Sequence, residues 1–175
     1  GPYKHQSKVI EAIAKLRERG FDISLTLIGA GENRARRRLL DHIYKLDPSG
    51  AYIKWAGAVE HSKLPSVFSK ADLFIFASSC EAFGITLVEA MSVGLPIACS
   101  CKSSLPEVLG STGVYFNPED SNSIKSAIEK ILNNSELRLA LSEKAKRRSE
   151  EFTWKRCAEE TFKFLMEIQD EYEEA

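Results

Sequence analysis

Net charge, cysteine and long apolar runs are all scarce in this chain of 175 residues. Opposite charges nearly cancel, leaving −1 at pH 7, so nothing draws the chain non-specifically to nucleic acid or to a membrane surface. The densest basic run, Arg34 with Arg36, Arg37 and Arg38, reads as a solvated helix face rather than a phosphate or lipid site. Cys80, Cys99, Cys101 and Cys157 show no Cys-x-x-Cys spacing, which speaks for reduced thiols and against a disulfide framework or a zinc site. Cys99 and Cys101 are expected on one face of a strand. Cys80 has no histidine near it in sequence to activate it as a nucleophile. No stretch is apolar enough to span a membrane and none reads as a signal peptide. Repeats and low-complexity linkers are absent too, and 43% hydrophobic content suits one domain with a real core over residues 1–175.

What is there is alternation. Apolar runs at Ile23 to Ile28, Tyr52 to Trp55, Asp72 to Ala77, Leu95 to Ser100 and Val114 to Phe116 read as strands. Between them helical patterns recur, from Arg34 to Leu46, Leu64 to Lys70 and Ile85 to Val93, with a helical turn capped by Ser103 and Ser104. Ser62 is the expected N-cap of the Leu64 helix. A first helix, Ser7 to Arg19, carries Val9, Ile10, Ile13 and Leu16 at helical spacing. Three helices follow the last strand, at Ser123 to Leu132, Glu136 to Glu150 and Trp154 to Tyr172. The fold class expected is α/β, a doubly wound parallel sheet with helices on both faces and a C-terminal helical tail.

The chemistry gathers around Cys80-Glu81-Ala82-Phe83-Gly84-Ile85-Thr86-Leu87-Val88-Glu89. This stretch joins the Asp72 strand to the helix that Gly94 and Pro96 end, and in open α/β sheets ligands sit at such junctions. Two carboxylates bracket it with seven residues between. On one continuous helix they would stand roughly 80° apart; a loop at Glu81 lets both face the crevice. Between them the N–H groups near Gly84, Ile85 and Thr86 open the helix without intrahelical acceptors, which suits phosphate. Carboxylates for hydroxyls beside free amides for phosphate fit a nucleotide-sugar better than a purely anionic ligand.

The pattern Glu-x-Phe-Gly-x-x-x-x-Glu resembles the signature of family 4 retaining glycosyltransferases (glycosyl transferases group 1). More specifically it is similar to the C-terminal, donor-binding, Rossmann-like domain of the two-domain GT-B fold. The resemblance continues through Leu27-Ile28-Gly29-Ala30-Gly31-Glu32, Trp55-Ala56-Gly57-Ala58-Val59, Gly94-Leu95-Pro96-Ile97, Leu105-Pro106-Glu107-Val108-Leu109, Gly113 to Asp120 and Phe152-Thr153-Trp154. It implies transfer of a sugar from a nucleoside diphosphate to an acceptor hydroxyl, as in polysaccharide or glycolipid synthesis. Glu81, the candidate catalytic residue, would hold the transferred sugar together with the backbone of Phe83 and Gly84. Glu89 would accept from the ribose hydroxyls and the Ile85 and Thr86 amides would face the distal phosphate. Gly57 and Val59 would carry the nucleobase, with Gly31 a further donor contact and Trp55 part of the core.

Lys4 fits the family's phosphate-contacting lysine, and also reads as an exposed terminal lysine. The strand and the Gly-Arg dipeptide that the family sets ahead of this helix are expected to be absent, the chain starting inside the first β–α connection. The resemblance implies an N-terminal acceptor domain as partner, with the last helix, apolar at Phe162, Leu165 and Ile168, packing on it. A cytoplasmic location is expected, extended in the full-length enzyme to peripheral contact with the inner membrane face. With no Asp-x-Asp motif, neither a metal nor a cofactor is expected. Three other readings stay open: a sugar-nucleotide epimerase half, a glycosidase using the two glutamates as acid and nucleophile, and a non-catalytic nucleotide-binding or receiver-type module. His5, His42 and His61 read as solvated histidines without carboxylate neighbours.

Overall fold

In the computed structural model, which describes residues 2–31 and 33–173, a 3-10 turn (Pro2–Lys4) leads into α1 (Gln6–Glu18). Strand and helix then alternate: β1 (Leu25–Ile28), α2 (Asn33–Leu46), β2 (Ile53–Gly57), a 3-10 turn (His61–Lys63) running into α3 (Leu64–Phe68), β3 (Phe74–Phe76), α4 (Ile85–Ser92), β4 (Ile97–Ser100), α5 (Leu105–Leu109) and β5 (Val114–Phe116). The chain closes with α6 (Ser121–Leu132), α7 (Ser135–Ser149) and α8 (Trp154–Glu173). Gly1 at the start of the chain and Glu32 of the Gly-x-Gly turn lie outside the described residues.

Every described ladder is parallel, as alternation requires. The strands do not form one continuous sheet, however. β1 pairs with β2, and β3, β4 and β5 pair in that order, with no ladder from β1 to β3 among the described residues. The two sheets are held together by side chains. Leu25, Leu27 and Ile53 share a core with Ala77, Ala98 and Phe116, covered by Val9, Ile10, Ile13 and Leu16 of α1 and by Ile124, Ile128 and Ile131 of α6.

β4 explains the layering. All four of its residues are buried, and strand side chains alternate between faces. Ala98 enters the core just described; Ile97 and Cys99 enter a second, built by Leu87 and Met91 of α4, Leu105 and Leu109 of α5 and Ala145 of α7. Helices therefore cover both faces, and each fully buried Leu, Ile or Met contributes roughly 1.5–3 kcal/mol of transfer free energy. Cys101 lies past the strand and is exposed, so it does not share a face with buried Cys99, whose thiol burial pushes up to about 12.

Other local expectations give way to capping. Asp120 accepts from the Asn122 N–H at 2.8 Å and Asn134 from the Leu137 N–H at 2.9 Å, so α6 and α7 begin at Ser121 and Ser135. Ser62 caps nothing: it lies within the 3-10 turn, and Lys63 precedes α3 without a side-chain cap. Ser103 and Ser104 do not cap α5 either, because their hydroxyls donate elsewhere. At the end of α2, the Asp47 carboxylate accepts from the Ala51, Tyr52 and Ile53 N–H groups at 2.8–2.9 Å and fixes the start of β2. α8 stands apart, with every residue from 154 to 170 exposed. Among the described residues no helix is long and apolar enough to cross a membrane.

Candidate functional site

The sequence candidates gather at the carboxyl ends of β1, β2 and β3, in two groups. The first follows β3. Gly84 takes a left-handed conformation, φ 91°, and stands at the N-terminus of α4. A Cβ there would lie 3.0 Å from Leu105 Cδ2, so glycine meets both a backbone and a packing demand. The turn leaves the Ile85 and Thr86 N–H groups in the first turn of α4, directed outward without intrahelical acceptors. Both residues are exposed. Glu89 sits half-buried in the next turn and Glu81 half-buried in the loop before the helix.

Two serines hold that loop. The Ser103 hydroxyl donates to the Glu81 carbonyl at 2.6 Å and accepts from the Glu81 N–H at 3.1 Å. Ser104 donates to the same carbonyl at 3.0 Å. Ser103 has φ 60°, an unusual conformation for a residue with a side chain, and here it serves the bond to Glu81. Phe83 is exposed along one edge and packs edge-to-face on Phe152, ring centroids 5.5 Å apart.

Each carboxylate already has a partner. The Lys4 ammonium bonds Glu81 Oε1 and stands 5.6 Å from the centre of the Phe76 ring. Lys4 thus pairs with one of the two candidate carboxylates and its side chain is partly buried. The segment carrying it is stitched to the end of β3: the Ser79 N–H donates to the Tyr3 carbonyl at 2.8 Å, and His5 Nε2 lies 2.8 Å from Ser79 Oγ. His61 Nε2 lies 2.6 Å from Glu89 Oε1. A carboxylate only accepts, so the ring presents Nε2–H to it. His61 therefore has the carboxylate neighbour that the sequence did not reveal, from 28 residues away. His5 likewise is bonded rather than merely solvated, while His42 Nε2 is buried without a hydrogen bond, 3.8 Å from Glu11.

The second group lies where β1 and β2 end. The Ala30-Gly31 loop, Arg36 of α2, Trp55 and the strand end Ala56 to Ala58 line a cavity of about 390 Å³. Gly57, φ 72°, closes it by accepting from the Gly29 N–H at 2.8 Å. Trp55 packs one way against the main core and donates from its indole N–H to the Gly29 carbonyl at 3.2 Å. Its other face carries the Arg36 guanidinium, 4.5 Å from the ring centre. Val59 is half-buried just beyond, two residues before His61. The connection from Gly57 to His61 thus links the cavity to Glu89. Arg36 and His61 are the residues that sequence reasoning passed over: the α2 arginines are all exposed, as expected, but one of them stacks on Trp55. Among the described residues no group of three or more His, Cys, Asp or Glu could hold a metal ion.

The family model for glycosyl transferases group 1 matches residues 1–148. The chain is similar to the O-antigen chain mannosyltransferase B of Escherichia coli, 33% identical over 110 residues, which are 63% of this chain and 29% of that protein. Its fold matches Anabaena Alr3699/HepE in complex with UDP and glucose, with TM-score 0.84 and 22% identity over 95% of this chain and 46% of that one. It also matches the C-terminal domain of a glycosyl transferase group 1 family protein, LpcC, from Francisella tularensis, with TM-score 0.76 and 20% identity over 86% of this chain and 80% of that one. The chain therefore spans less than a third of the E. coli relative and about half of the Anabaena protein.

Proposed function

This chain belongs to the glycosyl transferases group 1, and from that premise we propose that it is the donor-binding half of a retaining enzyme that moves a sugar from a nucleoside diphosphate to an acceptor hydroxyl. The observation that carries the reading is the group after β3: two carboxylates on either side of an open helix N-terminus, with a lysine on one of them. Glu89 accepts from the ribose hydroxyls, Glu81 with the backbone of Phe83 and Gly84 holds the sugar, and the Ile85 and Thr86 amides meet the distal phosphate. Gly57 and Val59 carry the base, and Gly31 is a further donor contact. The relatives named above, one a mannosyltransferase and one bound to UDP and glucose, support a nucleotide-sugar ligand.

As the bond to the anomeric carbon breaks, negative charge grows on the diphosphate. Fixed N–H dipoles and Lys4 stabilise that charge without needing a divalent ion. Lys4 rests on Glu81; in the proposed reaction the ammonium serves the phosphates and Glu81 the sugar hydroxyls. The acceptor, the second half of the crevice and any membrane contact belong to an N-terminal domain that this half requires.

Calorimetric titration of UDP, GDP and the corresponding sugar donors, in magnesium and in EDTA, tests the reading. Glu89→Gln should weaken nucleoside diphosphate binding roughly ten- to hundredfold, the worth of hydrogen bonds to a charged acceptor. Glu81→Gln should spare UDP or GDP and affect the sugar-bearing donor. Equal loss of free nucleotide in both variants, or strict magnesium dependence, would contradict these roles.

A further inference from the structure

The cavity at the ends of β1 and β2 has, among the described residues, one charged side chain on its wall, Arg36, and its chemistry bears on which base enters. Arg36 is held there by two neighbours, Trp55 and Gly31. Its guanidinium lies on the Trp55 ring at 4.5 Å; that ring is oriented by its own bond to the Gly29 carbonyl, at 3.2 Å. Gly31 passes close beneath, where an added Cβ would stand 3.6 Å from Arg36 Cβ, so the loop lies against the arginine stem. Among the described residues no salt bridge or side-chain hydrogen bond engages the guanidinium, whose one contact there is with the Trp55 ring. Stacking restrains the plane of the group while leaving its edge free to donate.

We propose that Arg36 reads the nucleobase and that the site prefers guanine. This rests on the donor-binding reading above and adds the identity of the base. A guanidinium fork offers two parallel donors. Guanine presents two adjacent acceptors, O6 and N7, on one edge. Adenine offers a donor beside its acceptor there, and uracil has a single carbonyl beside a C–H. Of these three bases guanine alone satisfies both arms of the fork through that edge. The backbone at Gly57 to Val59 supplies contacts that any base can use, so Arg36 is the element in this cavity able to discriminate.

Direct titration with nucleoside diphosphates decides the matter. GDP should bind the unaltered chain at least about tenfold more tightly than UDP or ADP, in keeping with one bidentate contact. IDP, which keeps O6 and N7 but lacks the 2-amino group, should bind like GDP. The 7-deaza analogue of GDP, which lacks the N7 acceptor, should fall towards UDP. Arg36→Lys keeps the charge without the fork, and Arg36→Ala removes both; each should abolish the preference, GDP affinity falling at least about tenfold further than UDP affinity. Equal affinity for GDP and UDP, undiminished binding of the 7-deaza analogue, or a preference that survives Arg36→Lys would overturn the proposal and leave the donor-binding reading standing. Parallel loss of GDP and UDP in Arg36→Ala would also overturn it, assigning the arginine to phosphate or to base stacking. Failure of every nucleoside diphosphate to bind would overturn the donor-binding reading, and this inference with it.

Discussion

Asp47 shows how one side chain can hold a strand in place. Burial opposes its ionisation, but three backbone N–H groups and the Ser49 hydroxyl outweigh that and hold the carboxyl below its ordinary value. A depressed folded-state value means that the stabilisation is fully present above the ordinary carboxylate range. It is lost as pH falls through the folded-state value. Asp47→Asn should therefore destabilise the domain by about 2–3 kcal/mol near neutrality, with a difference that shrinks below about pH 4. Urea unfolding of both proteins between pH 3 and pH 8 checks magnitude and slope; a difference independent of pH would contradict the account. At this scale the sequence was only partly legible. Glu81, Glu89 and Gly84 could be picked out as candidates, and placed around one turn, because their spacing and chemistry are local. His61 on Glu89 and Arg36 on Trp55 could not, because each contact joins residues distant in sequence, and nothing local distinguishes a stacked arginine from its solvated neighbours.

The element that most shapes the site is α4 with the turn before it. Gly84→Ala adds a Cβ to a left-handed residue and sets it 3.0 Å from Leu105 Cδ2. The conformational penalty alone is roughly 1–2 kcal/mol, and the contact adds to it. The variant should unfold at lower urea concentration and lose nucleoside diphosphate affinity as the Ile85 and Thr86 amides shift; unchanged binding in a destabilised variant would separate the turn from the ligand. α4 was readable because Gly84 and the Gly94-Leu95-Pro96 stop bracket it. Strand lengths were not: the apolar run from Asp72 to Ala77 yields only Phe74–Phe76, the three residues that pair with Ile97 to Cys99 of β4. Helix starts were misjudged where Asp120 and Asn134, rather than the first apolar residue, set the boundary.

In the whole molecule, α8 contributes least to the packed body. Phe162, Phe164, Leu165, Met166 and Ile168 are all exposed, and exposed helix residues carry little folding free energy. Deleting residues 154–175 should leave the urea midpoint nearly unchanged, within about 0.5 kcal/mol; a larger loss would mean that the helix folds back onto the body. The parallel α/β class followed from alternation alone. The division into two ladders did not, because periodicity tells which residues face a core but not which strands are neighbours. That division has a consequence for cooperativity. β4 has a hydrogen-bonded neighbour on each side, whereas among the described residues no ladder joins β1 and β2 to the other three strands, which meet them through side-chain packing. Amide hydrogen exchange should therefore report two local opening free energies, the β1–β2 ladder exchanging first and β4 last. A nucleotide that engages Gly57 in one ladder and the α4 amides beside the other would tie the two together, so slowed exchange in β1 would report ligation from across the seam.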